Sequence, residues 1–203
     1  MNTVLSSDEL IAFHDGCHAQ AGWAKAGVAR HASGVWKVIE LNHRYNCLLW
    51  DEEDLARRMQ VPDSEIASNK RAIDGYNQKR NDSIEHIDEA LLTALAGSKL
   101  EPGARLNSET AGSMVDRLSI LSLKIFHMRL QTLRSDVDQA HIENCSSRLA
   151  RFADQRRDLA GCLDRLLAEA GRGEAWFRVY RQFKMYNDPK LNPAVYRETK
   201  QAR

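Results

Sequence analysis

Only four prolines and eleven glycines interrupt the 203 residues. That is too few turn-formers for an all-β chain with its frequent reversals. Period-two alternation of apolar and polar residues is also missing, which removes the half-buried strand. No apolar run approaches the roughly 20 residues that span a bilayer, so no membrane insertion is expected. Charge of one sign is not in excess: 29 basic against 28 acidic residues leave +1. Nothing pulls the chain as a whole toward nucleic acid or an anionic membrane, and no nucleic-acid partner is expected. The four cysteines (Cys17, Cys47, Cys145, Cys162) contain no CxxC pair. They read as buried thiols of a reducing compartment rather than a disulfide framework. The opening "MNTVLSSDEL" has neither a basic n-region nor a long apolar h-region, so it is not read as a signal peptide and the expected location is the cytoplasm. Gly-rich phosphate loops, low-complexity runs and long internal repeats are absent.

What remains is helical. The hydrophobic fraction of 43% suits a packed core. The pattern predicts an all-α, single-domain bundle of about six helices with long central helices, spanning residues 1–203. "SSDELIAFHDG" opens a short first helix with Ser6 or Ser7 as cap. Residues 1–32 are weakly patterned beyond it. A second helix is expected from Ser33 to Met59, broken by "VPDS", and a third from Asp63 to Ala96, roughly 50 Å long. "GSKLEPGARLN" is a loop, with Pro102-Gly103 as its turn. A fourth helix is expected from Ser108 to Arg134 and a fifth from Asp136 to Glu169. "EAWFRVYRQFKMY" reads as a sixth, followed by an extended tail, so that 174–203 packs on the bundle as helix and strap.

The second and third helices depart from simple amphipathicity. The fifth carries an ordinary apolar stripe from Ile142 to Leu166. The stripe of the second, however, reads Trp36, Ile39, His43, Asn46, Trp50, Glu53, Arg57. That of the third reads Ile66, Lys70, Ile73, Asn77, Arg80, Ile84, Ile87, Leu91. A buried polar group without a partner costs about 1–3 kcal/mol. The stripes therefore make sense as one shared layer, with His43, Asn46 and Glu53 opposite Lys70, Asn77 and Arg80. The bland alternative is exposure there, with the long cations snorkelling.

Carboxylates follow the same two helices. "WDEED" ends in Asp51, Glu52, Glu53 and Asp54, and "RNDSIEHIDE" places Asn81, Glu85 and Asp88 on one face. Two acidic turns converging from neighbouring helices can hold Mg²⁺ or Mn²⁺ through hard oxygens. This resembles, in part, the layout of the all-α nucleotide pyrophosphohydrolases. The alternative is a set of solvated acids. "RNDSIEH" also fits the R-x(4–6)-H signature of HEPN ribonucleases through Arg80, Asn81 and His86, but six residues on a regular helix do not share a face. His14 and His18, with Cys17 beside them in "HDGCH", have zinc-compatible spacing, yet one turn offers too few ligands, and a surface pair is the expected reading. In "RQFKMYNDPKLNP", Lys184 and Asn187 stand among aromatics and could hold a phosphate, or the segment could simply strap the bundle.

The blocks "NHRYNCLLWDEEDLAR", "NKRAIDGYNQKRNDSIEHID", "SETAGSMVDRLSILSLKIFHM" and "FKMYNDPKLNP" resemble those of the bacterial domain-of-unknown-function family 4254, from Ser33 to Tyr196. The resemblance implies a cytoplasmic bacterial protein, with an association with cell-surface glycan genes, and carries no activity. It adds Asp116, Arg117, Ser119 and Lys124 of the fourth helix to the polar inventory.

The resulting expectation is a divalent-metal-dependent enzyme acting on a phosphorylated small molecule or nucleotide sugar. Glu53, Asp54, Glu85 and Asp88 are its expected metal ligands, with Glu53 and His43 as catalytic groups. Asn46, Trp50, Asn77, Arg80, Asn81, Arg117, Lys124, Lys184 and Asn187 are expected on substrate. The competing expectation is a non-catalytic helical scaffold with an architectural polar layer. Either is compatible with a homo-oligomer.

Overall fold

The computed structural model describes residues 5–27 and 29–201. Among them lie six α-helices: α1 (Ser7–His18), α2 (Gly34–Leu55), α3 (Asp63–Ala94), α4 (Ala111–Thr132), α5 (Gln139–Gly171) and α6 (Pro193–Gln201). Two two-residue strands, β1 (Arg105–Leu106) and β2 (Ala175–Trp176), pair in parallel. The expected all-α bundle is present, with α4 at its centre. Val115, Leu118 and Leu121 of α4 pack in one core with Leu10 of α1, Ile39 of α2, Ile87 and Leu91 of α3, and Leu163 of α5. No helix is long and apolar enough to cross a membrane among the described residues.

Local chemistry sets the helix ends. Pro62 directly precedes α3, where its missing N–H is harmless, and Asp63 and Glu65 occupy the first turn. The α4 cap is Thr110, whose hydroxyl accepts the Ser113 N–H at 3.1 Å. That start is later than the expected Ser108. Ser7, expected as a cap, does other work: its N–H and hydroxyl donate to the Asp164 carboxylate at 3.0 and 2.6 Å. Together with Arg156 donating to Asp15 at 2.8 Å, this lays α1 along α5.

Two expectations are corrected. The segment "EAWFRVYRQFKMY" is not a helix. It leaves α5 through Gly173, whose φ of +78° suits glycine and whose Cβ would meet the Lys99 carbonyl oxygen at 1.9 Å. Arg105 N–H then donates to the Glu174 carbonyl and Asn107 N–H to that of Trp176. Ala175 and Phe177 are buried in the core from this extended chain. The last helix comes later, at α6, after a 3₁₀ turn at Met185–Asn187.

The second correction concerns the polar layer. His43 and Asn46 are buried, but their partners sit on α4, not α3. A third helix shares the seam of the α2–α3 hairpin, and α4 presents Asp116, Ser119 and Ser122 there. Lys70 is exposed and pairs with Asp74, while Glu53 pairs with Arg57, each one turn along its own helix.

Candidate functional site

The buried polar residues of α2 and α4 form a chain of contacts. His43 Nδ1 meets Ser119 Oγ at 2.8 Å. The Asn46 amide donates to that same oxygen at 3.0 Å and to Asp116 Oδ1 at 2.9 Å. Asn42 also donates to Asp116 Oδ1, at 2.9 Å. On the far side of Asp116 lies Arg80 of α3, with Nε at 4.0 Å. That Nε is out of solvent and has no hydrogen-bond partner. One line of groups thus runs from His43 to Arg80, fixed by the small side chains of α4.

At the Arg80 end is a groove of about 340 Å³ between α2, α3 and α4. Six residues anticipated from sequence line it: Asn46, Trp50, Glu53, Asp54, Asn77 and Arg80. Arg57 joins them, held by Glu53 at 2.5 Å, and Leu49, Ile120 and Leu123 supply an apolar floor. Trp50 stacks on His127 with centroids 4.5 Å apart and planes 7° apart. The groove combines two guanidinium groups, an aromatic plate and two carboxylates. That set can take an anionic, partly planar molecule.

Other anticipated residues lie elsewhere. Glu85 accepts from Arg181 at 2.7 Å and from the Gln182 N–H at 2.8 Å, which ties the C-terminal strap to α3. Burial pushes its pKa up, but these donors outweigh it and hold the carboxyl below its usual range. Asp88 accepts the Gly112 N–H at 2.6 Å and a Thr110 side-chain bond, so it anchors the start of α4. A Cβ on Gly112 would lie 2.9 Å from that carboxylate, so glycine permits the approach. Burial raises the Asp88 pKa to about 6. The expected four-carboxylate metal set is therefore not assembled. Glu52 at the end of α2 accepts from Asn69, sixteen residues before Glu85, or roughly 24 Å along the helix.

Asn81 is buried beside the groove rather than on its wall, with Arg80 Nη2 at 3.5 Å from its Oδ1. Arg117 is exposed and paired with Glu109. It shares a second groove, between α4 and α5, with Lys124. Lys184 and Asn187 sit on the strap and do not line the Arg80 groove. His86 is exposed while Arg80 faces the groove on the same regular helix, so the HEPN pairing is not formed.

His43 does not line the Arg80 groove. It is fully buried at the other end of that line of groups, in a cluster that no single sequence motif marks. His14 of α1 is not a surface residue: it is fully buried and lies over His43, with centroids 4.4 Å apart. His18 lies 4.9 Å from His43 on the same measure. Cys47, one turn after His43, places Sγ 3.9 Å from His43 Nε2. Burial lowers the pKa of His14 to about 3 and of His18 to about 4, and drives that of His43 well below its usual value. Burial also pushes the Cys47 thiol up to about 12. The available signal was a pair of i, i+4 spacings, His14/His18 and His43/Cys47. Each is unremarkable alone, and only the packing of α1 on α2 and α4 brings them together.

A family model described as "Protein of unknown function (DUF4254)" matches residues 36–179, covering α2 to α5 and β2. The match ends before the last of the four resembling blocks. No curated protein and no solved structure matches the chain.

Proposed function

The chain belongs to the DUF4254 family, and from that premise we propose that it binds a phosphate-bearing small molecule, such as a nucleotide sugar, in the groove between α2, α3 and α4. We further propose that it acts on this molecule with a divalent cation. The observation that carries the reading is Arg80: a half-buried side chain that lines the groove, with an Nε out of solvent that has no hydrogen-bond partner. Leaving such a donor unsatisfied is unfavourable, and a bound phosphate oxygen would satisfy it with a charge-assisted bond. Arg57 supplies a second positive group, and Trp50 a surface for a base or sugar ring. Glu53 and Asp54 replace the four-carboxylate set as cation ligands. One or two carboxylates plus substrate phosphates is the usual way Mg²⁺ or Mn²⁺ is held. The cation would neutralise charge at the phosphate. Four free cysteines fit a reducing cytoplasm.

Thermal unfolding tests this, with Mg²⁺ or Mn²⁺ against a chelator and with a panel of nucleotides and nucleotide sugars. A ligand at 100 times its dissociation constant adds about 2.7 kcal/mol, or about 5–10 °C for a chain of this size. The expected result is a shift that needs the cation and one ligand class, and that Arg80→Ala abolishes. A shift indifferent to Arg80 contradicts the proposal.

A non-catalytic interaction protein is the second reading, favoured by the strap. Phe183, Tyr186 and Met185 are 86%, 65% and 61% exposed. Three large apolar side chains in one short segment are unusual on a free surface. If no ligand shifts the unfolding temperature, and sedimentation shows self-association that Phe183→Ser removes, this reading replaces the first.

A further inference from the structure

We infer that His18, His43 and Cys47 form a binding site for a borderline-soft transition ion of the zinc class, separate from the Arg80 groove. One nitrogen of each imidazole and the Cys47 sulfur lie within 4.8 Å of one another. Around a tetrahedral zinc, with Zn–N near 2.0 Å and Zn–S near 2.3 Å, donor atoms stand roughly 3.3–3.7 Å apart. The His43–Cys47 pair is already at 3.9 Å, and small side-chain rotations close the rest.

The surroundings are those of a held ligand set. Ser122 Oγ donates to the Ser119 carbonyl at 3.0 Å, so toward His18 it can only accept. With the Ser122 proton on that carbonyl, His18 donates from Nε2, 3.0 Å from Ser122, and its Nδ1 lone pair is the one offered to an ion. Ser119 holds the Nδ1 edge of His43 and Nε2 lies 3.9 Å from Cys47; the ion would displace the ring's hydrogen bond to the His14 backbone. Second-shell oxygens of this kind orient metal-binding imidazoles. A cavity of about 270 Å³ adjoins, lined by His18, Cys47 and Cys17. Water or a bound molecule entering from it would take the fourth position, as in metal centres with three protein ligands.

Plain core packing explains this cluster poorly. His14 is fully buried against it, and neither of its ring nitrogens has a partner. His141 and Cys145 on α5 provide a contrast. They have the same spacing and lie 3.4 Å apart, but no third ligand from another helix joins them among the described residues. The donor set also selects the ion: two imidazoles and a thiolate favour Zn²⁺ or Co²⁺ over Mg²⁺ or Mn²⁺. On binding, the Cys47 S–H bond is exchanged for an S–metal bond and the proton passes to solvent.

The test uses full-length protein, stripped with a chelator and titrated with Co²⁺. The expected result is one equivalent bound, with a thiolate-to-cobalt charge-transfer band and the intense visible bands of a tetrahedral site. Zn²⁺ should bleach both, and excess Mg²⁺ neither. Cys47→Ser should remove the charge-transfer band and weaken binding tenfold or more, while Cys162→Ser changes nothing. Should Cys47→Ser fail to fold, alkylation of the wild-type protein followed by peptide mapping replaces it: Zn²⁺ should protect Cys47. No band at one equivalent, a band that survives in Cys47→Ser, or alkylation of Cys47 unaffected by Zn²⁺ would overturn the inference.

Discussion

Asp88 on α3 and His14 on α1 are both out of solvent, at 2% and 0% exposure. Asp88 receives the Gly112 N–H at 2.6 Å and a bond from Thr110. Neither ring nitrogen of His14 meets a partner, and the same is true of Arg80 Nε. Burial depth is shared, and satisfaction is not. A satisfied buried group is architecture, because the fold supplies its partners. An unsatisfied one is unfavourable in the fold as it stands, and a ligand is the simplest source of the missing partner. By this difference Asp88 leaves the expected site and Arg80 stays in it, while His14 lies against the His18, His43 and Cys47 cluster without being one of its ligands.

The largest expected effect falls on the satisfied side. Asp88→Ala leaves the Gly112 N–H buried at the start of α4 without an acceptor. It should lower stability by about 3 kcal/mol in urea unfolding. Loss below 1 kcal/mol would remove Asp88 from the architecture.

The pH dependence sharpens the contrast, because the two groups titrate in opposite senses. Asp88 has its folded pKa raised to about 6 from 3.8. Between those values the folded state holds a proton that the unfolded chain has released, so its contribution falls as pH rises. His14 has its folded pKa lowered to about 3 from 6.5. Below 6.5 the unfolded chain takes a proton that the folded state refuses, so its contribution falls as pH falls. Each slope is about 1.4 kcal/mol per pH unit. Relative to wild type, Asp88→Asn should gain about 3 kcal/mol between pH 4 and 6. His14→Leu should gain a similar amount on going from pH 6.5 to 4.5. Parallel curves for either variant and wild type would contradict the assignment.

Arg80→Ala should behave as a site variant. Stability should fall by about 1–2 kcal/mol, since buried Asn81 loses its Arg80 contact while Asp116 keeps Asn42 and Asn46 as donors, and affinity for the groove ligand should fall at least tenfold, about 1.4 kcal/mol. Smallest of all, Lys184→Ala and Asn187→Ala should leave that affinity within twofold, because the strap does not line the groove.

Much of this arrangement was legible in the sequence. The polar interruptions of the α2 and α3 stripes identified Asn46, Trp50, Glu53, Asn77 and Arg80, and these residues do share one groove. Their partners were not legible. Helical periodicity says which face is buried but not against which helix, and α4 hid its polar contribution behind small serines in an apolar sequence. Glu85 and Asp88 had the spacing of metal ligands, but spacing carries no information about the Arg181 strap or the Gly112 amide that occupy them. The extended path after α5 is not legible because aromatic spacing in "EAWFRVY" imitates a helix, while the requirement at Gly173 comes from a carbonyl over seventy residues away. The spacing of His14 and His18 alone describes a surface pair, because the other two members of the cluster, His43 and Cys47, lie on α2.

The most direct measurement follows the Arg80 Nε–H itself, by magnetic resonance of protein labelled with nitrogen isotope in its arginines. One protected Nε–H signal should vanish in Arg80→Lys. In wild type it should shift saturably when inorganic pyrophosphate is added with Mg²⁺. Asp88→Asn should keep both the signal and its response. A signal that stays fixed while pyrophosphate binds, or no binding at all, would contradict the assignment of the groove as a phosphate site.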